Sequence, residues 1–316
     1  MRKQIVSELI LHHYPQSPVA EKVRVVLGIK NVPWRSVQIP RIPPKPDLMP
    51  LTGGYRRTPV LQVGADIYCD SQCIIRELER RCPRPTLYPH GAAGLPWALS
   101  RWTDDSLFTL VVGVVMGAQA DELPEEFAND RGRLYFGPDF DWQAQKKKLP
   151  HSLAQIRAQL GWIDERLSGD RDFMLGADPG LPDALCYHLV WFFRGRYAGG
   201  PALLDQFPNL MAWEKRVAAI GHGQPEDLDS KDALEIARTA TPESAEQTDD
   251  GDPQGLAPGQ MVAVAPDVDG GDPSVEGRIV AVSMDTIAIA RSAAEVGDIL
   301  VHFPRVGYRV VPIATR

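Results

Sequence analysis

His12-His13-Tyr14-Pro15-Gln16-Ser17-Pro18-Val19-Ala20-Glu21-Lys22-Val23-Arg24-Val25-Val26-Leu27 places a hydroxyl where a short strand hands over to a helix. The apolar residues upstream, Ile5, Leu9, Ile10 and Leu11, suit a buried strand, while Ala20, Val23, Val26 and Leu27 recur at the i, i+3, i+6, i+7 spacing of a helix face. Pro18 falls near the first helical position, where its missing N–H costs nothing. Ser17 then lies beside unpaired backbone donors at the positive end of the helix dipole, surroundings that stabilise an anion. The same hydroxyl could serve as an ordinary N-cap, and these residues alone leave both roles open.

Two further pieces extend the pattern. Arg57-Thr58-Pro59-Val60-Leu61-Gln62-Val63 reads as a strand entered through a proline, and Thr58-Pro59 suits a cis peptide in a tight turn. The chain then turns at Gly64-Ala65-Asp66, runs through Ile67-Tyr68-Cys69 as a short strand and reaches Asp70-Ser71, before Ile74, Ile75 and Leu78 define another helix face. Either side chain of the Asp70-Ser71 pair can cap that helix.

Taken in this order and spacing, the three motifs resemble the thioredoxin-fold domain of glutathione transferases over residues 5–90. The tau, phi and omega classes carry a catalytic Ser or Cys before Pro and a [KR]-[VT]-R helix, matched by Ser17-Pro18 and Lys22-Val23-Arg24. Their [IVT]-P-V-L strand is matched by Thr58-Pro59-Val60-Leu61, and their [ED]-S helix start by Asp70-Ser71. The resemblance implies glutathione as co-substrate, with Ser17 activating its thiol. It also implies contacts from Arg57, Thr58 and Pro59, the Thr58 backbone pairing with the cysteinyl part, while Asp70 and Ser71 hold the γ-glutamyl end. Tyr14 is the rival activator, because other classes use a Tyr at the end of the first strand. A Ser cannot form a mixed disulfide, but its O–H can donate to a thiolate, so Ser17 favours conjugation over disulfide exchange.

At 316 residues the chain is long enough for two or three domains. Its formal charge of −7 gives no electrostatic footprint for nucleic acid, and it has no apolar run of membrane-spanning length and no signal-peptide core. A cytoplasmic location is the default expectation. Cys69, Cys73, Cys82 and Cys186 form no CxxC pair and read as buried free thiols. The seven histidines form no metal pattern, so no metal is expected; His12 and His13, neighbours on a strand, point to opposite faces and read as packed or solvated. In the Pro40–Pro46 loop, Arg41 and Lys45 read as solvated charge, with a glutathione carboxylate as the alternative.

Beyond Pro83-Arg84-Pro85-Thr86-Leu87-Tyr88-Pro89 the pattern becomes helical. Trp97–Ala120 reads as one long helix or two in tandem, followed by Ser152–Leu167 and by Leu181–Tyr197, which is apolar nearly all round. Phe173-Met174-Leu175-Gly176 through Asp183-Ala184 resembles the same family's capping segment, with Asp183 bonding back to the helix start and Gly180 where Ser or Thr is usual. Pro208-Asn209-Leu210-Met211-Ala212-Trp213 matches its P-N-L-x-x-W helix, so the resemblance reaches about residue 223. After a short helix, Ser230–Ala240, comes an acidic, core-poor stretch from Thr241 to Pro253 and then five β-type runs with Gly, Asp and Pro between them. Residues 256–316 hold five Arg against seven Asp or Glu, which again argues against nucleic acid.

The expected fold class is therefore multidomain. It has an α/β thioredoxin-like glutathione-binding domain (1–90), an all-α helical bundle (94–240), a linker (241–256) and an independently folded all-β SH3-like module (257–316). The expected function is a detoxification-type glutathione transferase that adds the thiolate to a small electrophile, with Trp102, Asp105, Phe108, Val112 and Met116 at the second-substrate site. The competing expectation is a non-catalytic glutathione-binding or regulatory protein whose β module meets a partner. The family resemblance implies a homodimer.

Overall fold

The apolar run before Ser17 forms a buried strand, and Pro18 opens a helix, as the residue pattern requires. The computed structural model describes residues 8–243 and 247–314, so Ile5 and Ser244–Glu246 lie outside the described residues. The elements run β1 (Ile10–His13), α1 (Pro18–Lys30), β2 (Pro33–Gln38), α2 (Met49–Thr52), β3 (Val60–Val63), β4 (Asp66–Cys69) and α3 (Ser71–Arg81). Next come α4 (Gly94–Arg101), a π turn over Trp102–Ser106, α5 (Leu107–Ala118), α6 (Glu125–Phe136), α7 (Trp142–Lys147) and α8 (Leu149–Arg166). The chain continues through α9 (Leu181–Arg196), α10 (Gly200–Leu204), α11 (Pro208–Ile220), β5 (Gln224–Asp227) and α12 (Ser230–Thr239). It ends in β6 (Met261–Pro266), β7 (Val275–Val282), β8 (Thr286–Ala293), β9 (Gly297–Pro304) and β10 (Tyr308–Pro312). No helix among the described residues is long and apolar enough to cross a membrane.

Two units emerge, the first from the described parts of Met1–Ala20, Pro33–Glu77 and Gln224–Arg316. Its strands form one sheet in the order β10-β6-β7-β8-β9-β4-β3-β1-β2-β5. Within it, β1 and β2 run parallel and β3 runs antiparallel between β1 and β4, the thioredoxin-like arrangement expected.

The C-terminal strands do not form an independent appendage. β9 adds in parallel to β4, with Asp66, Ile67 and Tyr68 opposite Leu300, Val301 and His302. One apolar cluster joins Ile10, Val37, Val60 and Ile67 to Val262, Ile279, Ile289, Val301, Phe303 and Val310. Each such side chain contributes roughly 1.5–3 kcal/mol on burial, so the two sets of strands stabilise one another. The described part of the supposed linker is docked as well: Glu243 N donates to Asp66 Oδ2 at 2.7 Å, Gln247 bridges to Ala281, and Leu256 is buried.

The second unit comprises Glu21–Val32 and Leu78–Gly223. Trp97–Ala120 resolves into α4 and α5 joined by the π turn, and α9 is buried continuously from Leu181 to Val190. Asp183 is central to the start of α9: its Oδ2 accepts from Gly180 N at 2.9 Å, and its Oδ1 accepts from Met174 N at 2.9 Å and Trp213 Nε1 at 2.7 Å. Gly180 is required by space, because a Cβ there would approach Leu87 O and Pro89 Cδ to 2.9 Å, closer than Cβ atoms sit in folded proteins.

Candidate functional site

Sheet register gathers the three motifs at one end of the first unit. His12 stands opposite Val60 and Val60 opposite Cys69, so a single row crosses β1, β3 and β4. Ser17 follows β1, Thr58-Pro59 precedes β3 and Asp70-Ser71 follows β4, all leaving that row at the same end. The Thr58-Pro59 bond is cis.

Ser17 is 2 % exposed, and its Oγ accepts from Ala20 N at 3.1 Å, which is the N-cap role. A serine hydroxyl has two acceptor positions and one donor, so this cap leaves the O–H proton available to an anion at the helix start. Tyr14 is buried in the apolar cluster, and its carbonyl accepts from Ser17 N at 3.1 Å. Lys45 is buried rather than solvated: its Nζ donates to Arg56 O at 2.8 Å and to Thr58 Oγ1 at 2.9 Å. Lys45 thus ties the Arg56 carbonyl to the Thr58 hydroxyl on either side of Arg57, while Arg41 stays exposed.

Asp70 adopts the left-handed backbone region at φ 72°, which Asp tolerates better than most residues, and its Oδ1 accepts from Gln72 N at 2.9 Å. The capping role is therefore present here too. Ser71, 5 % exposed, begins α3. Asp70 has a second partner that sequence reasoning missed: Tyr308 Oη, at the start of β10, donates to Asp70 Oδ2 at 3.1 Å and lies 3.1 Å from Tyr55 Oη. Burial, together with the Asp70 charge, pushes both phenols well above their ordinary range, so they remain protonated.

Arg57 is engaged in the same way. Its Nε and Nη2 donate to Asp272 Oδ2 at 3.1 and 2.6 Å, and Arg56 Nε lies 3.4 Å from Asp272 Oδ1. Asp272 belongs to the β6–β7 connection, more than two hundred residues from Arg57. Its Gly270-Gly271-Asp272-Pro273 setting reads only as a turn, and Tyr308 reads only as a strand residue, so neither carried a local functional signal.

Other candidates are packed. His12 Nε2 meets Gln62 Oε1 at 2.9 Å, and His13 Nε2 meets Ser36 Oγ at 3.1 Å. Cys69, Cys73 and Cys186 are buried free thiols pushed up by burial, whereas Cys82 is free but only partly buried. In the helical unit, Trp102 donates to Gln159 Oε1 at 2.6 Å and Asp105 faces solvent in an ion pair with Arg101. Phe108 meets Tyr135 edge-on, and Val112 and Met116 are buried.

The sequence matches the family model for the glutathione S-transferase N-terminal domain over residues 11–86 and that for the C-terminal domain over 125–216. The crystal structure of a GST-like protein from Pseudomonas syringae is 38 % identical, with a TM-score of 0.79 covering 96 % of this chain and 99 % of that one. At the level of fold alone, a family member from Pseudomonas fluorescens with two glutathione bound gives 15 % identity and a TM-score of 0.52, covering 69 % of this chain and 91 % of that one. A tau-class transferase from mango gives 17 % and 0.51, covering 67 % and 89 %. No curated protein matches the chain. With both domain models matched and a relative 38 % identical over 96 % of this sequence, the chain belongs to the glutathione S-transferase family.

Proposed function

We propose that this chain binds glutathione as its thiolate and transfers it to a small electrophile. Family membership supports the glutathione-related part of this reading. The observation that carries the rest is Ser17, a buried cap whose O–H proton remains to donate at the start of α1. That donor and the helix dipole lower the thiol pKa, and the thiol proton leaves to solvent. The sulfur then forms a bond to the electrophilic carbon as the leaving group departs with the electron pair; with an epoxide, the C–O bond at that carbon breaks instead and its oxygen, still bonded to the neighbouring carbon, keeps the pair and takes a proton from solvent. Thr58 and Pro59 would align the cysteinyl backbone, Asp70 and Ser71 would face the γ-glutamyl end, and Arg57 would be a further glutathione contact. Tyr14 is the alternative thiol activator.

The C-terminal strands, in the order β10-β6-β7-β8-β9, are read as an SH3-like barrel fused to this sheet rather than tethered to it. Their Tyr308–Asp70 and Asp272–Arg57 contacts favour a second reading, a glutathione-binding or regulatory protein with little turnover. Glutathione titration followed by turnover with aryl halides, epoxides and hydroperoxides separates the two readings. Under the first, Ser17→Ala should slow conjugation about ten- to a hundred-fold while sparing glutathione binding, the scale of a charge-assisted hydrogen bond. A silent Ser17→Ala beside a crippling Tyr14→Phe would transfer the role to Tyr14, and binding without turnover would favour the second reading.

A further inference from the structure

We propose that Tyr308, supplied by the C-terminal strands, is a positioning residue for the glutathione site: its hydroxyl fixes the Asp70 carboxylate in the orientation that receives the ammonium group of the γ-glutamyl end. The inference rests on the reading above, in which Asp70 and Ser71 face that end.

The cap alone does not orient Asp70. Its Oδ1 accepts from Gln72 N at 2.9 Å, and a bond on one oxygen still lets the carboxylate turn about Cβ–Cγ, a torsion with a broad energy well. The Tyr308 hydroxyl donates to Oδ2 at 3.1 Å and removes that freedom. Each oxygen then holds one of these two bonds, and a carboxylate offers about four acceptor positions, so both oxygens keep capacity for an ammonium. A carboxylate oxygen only accepts, so the single Tyr308 proton goes to Asp70, and the Tyr55 hydroxyl, 3.1 Å away, donates to Tyr308 in turn. The resulting chain, Tyr55 to Tyr308 to Asp70, links the segment that leads into Arg57-Thr58-Pro59 with the start of α3.

Tyr308 is itself held firmly. It opens β10 opposite Pro266 of β6, and its ring lies 5.7 Å from Phe303 and 6.4 Å from Tyr55. Two adjacent turns grip the same helix: Val306 O accepts from Gln72 Nε2 at 3.2 Å, and Asp285 Oδ1 pairs with Arg76 Nη2 at 2.9 Å. Arg305 N donates to Asp285 O at 2.9 Å, which joins the two turns to each other. Asp70, Gln72 and Arg76 therefore meet the C-terminal strands at three points along the beginning of α3. The apolar cluster and the β4–β9 ladder already fasten these strands to the sheet, whereas the Tyr308 hydroxyl is directed at Asp70.

Calorimetric titration of reduced glutathione and of glutaryl-cysteinylglycine, which lacks only the amino group, into the full-length chain tests this. The wild type should bind glutathione about ten-fold more tightly than the glutaryl peptide, the scale of a charge-assisted hydrogen bond. Tyr308→Phe keeps the packed ring and should weaken glutathione about three- to ten-fold, the range for immobilising one side chain on binding. The glutaryl peptide should bind this variant as it binds the wild type, which also reports that the variant is folded. In an Asp70→Asn background, Tyr308→Phe should have no further effect on glutathione, because the two residues act as one unit. An unchanged glutathione affinity in Tyr308→Phe, or an equal loss for both peptides, would overturn the inference while the glutathione reading stood. So would a wild type that binds the two peptides equally. Failure of the wild type to bind either peptide would overturn both.

Discussion

Lowering the pH from about 7.5 to about 5 should cost the first unit about 2 kcal/mol through His12 alone. His12 sits in the middle of β1, 1 % exposed, with its Nε2 2.9 Å from Gln62 Oε1. The Gln62 amide nitrogen donates to Gly64 O and Ala233 O, which fixes Oε1 as the acceptor and Nε2 as the protonated ring nitrogen. Nδ1 has no hydrogen-bond partner among the described residues, so protonation would place a new N–H and a charge in the core without an acceptor. Burial accordingly lowers the His12 pKa from 6.5 to about 4, against a smaller opposing effect of the Gln62 bond. Because the folded value lies below the unfolded one, the unfolded chain takes up the proton first. Stability is complete above pH 6.5 and falls as the pH approaches 4. The full difference corresponds to about 3 kcal/mol, of which about 2 is lost by pH 5, before most carboxylates titrate. Urea unfolding at several pH values, wild type against His12→Gln, is the assay; glutamine keeps a donor for Gln62 but does not titrate. The variant should show a pH dependence shallower by that amount. Equal slopes in the two proteins would refute the assignment.

Asp70→Asn should change the melting temperature little, because Asn retains a cap acceptor and tolerates φ 72°, whereas Asp70→Ala should cost about 1–2 kcal/mol from the lost cap and the unfavourable backbone; thermal unfolding of both variants decides this. Gly28→Ala should destabilise the helical unit by about 1–3 kcal/mol, since its Cβ would lie 2.0 Å from Gly221 O, a backbone atom, and a melting temperature equal to wild type would contradict the packing. Removing residues 257–316 should leave an aggregating or partly unfolded chain, read by circular dichroism and proteolysis, rather than an intact glutathione-binding core. Light scattering should give roughly twice the 34.9 kDa chain mass for the proposed homodimer, and a value near the chain mass at micromolar concentration would exclude it.

The parts of this fold that were legible in the sequence are those governed by local periodicity. The β1–Ser17–α1 handover, the Thr58-Pro59 strand, the Asp70 helix start and the long apolar helices each carry their pattern within a dozen residues. β5 carried none: Gln224-Pro225-Glu226-Asp227 is exposed throughout, contains a proline, and is a strand only because β2 offers it a parallel ladder. Lys45 looked like solvated charge because composition cannot show that Arg56 O and Thr58 Oγ1 converge on its ammonium. The capping roles of Ser17 and Asp70 were readable from their neighbours, but the Tyr308 and Asp272 contacts were not, since each closes a loop of more than two hundred residues.

Asp66 shows why the C-terminal strands and the candidate site cannot be treated separately. In sequence it reads as a turn residue, Gly64-Ala65-Asp66, yet it is fully buried in β4, where a bare carboxylate would be costly. His302 of β9 donates to its Oδ1 at 2.8 Å and Glu243 N to its Oδ2 at 2.7 Å, while the His302 ring stacks on Tyr68 at 4.3 Å. Beside them, Leu300 N donates to Ala65 O at 3.0 Å, so β9 also satisfies backbone groups along β4 that an open edge would leave unpaired. Asp66 lies four residues before Asp70 on one strand and His302 six residues before Tyr308 on the other side of the seam, so parallel pairing in this register carries Tyr308 toward the end at which Asp70 emerges. The contacts that bury Asp66 and the contact that holds Asp70 thus follow from one strand addition. A substitution that loosens β9 from β4, such as His302→Ala, should both lower the melting temperature of the first unit and release Tyr308 from Asp70.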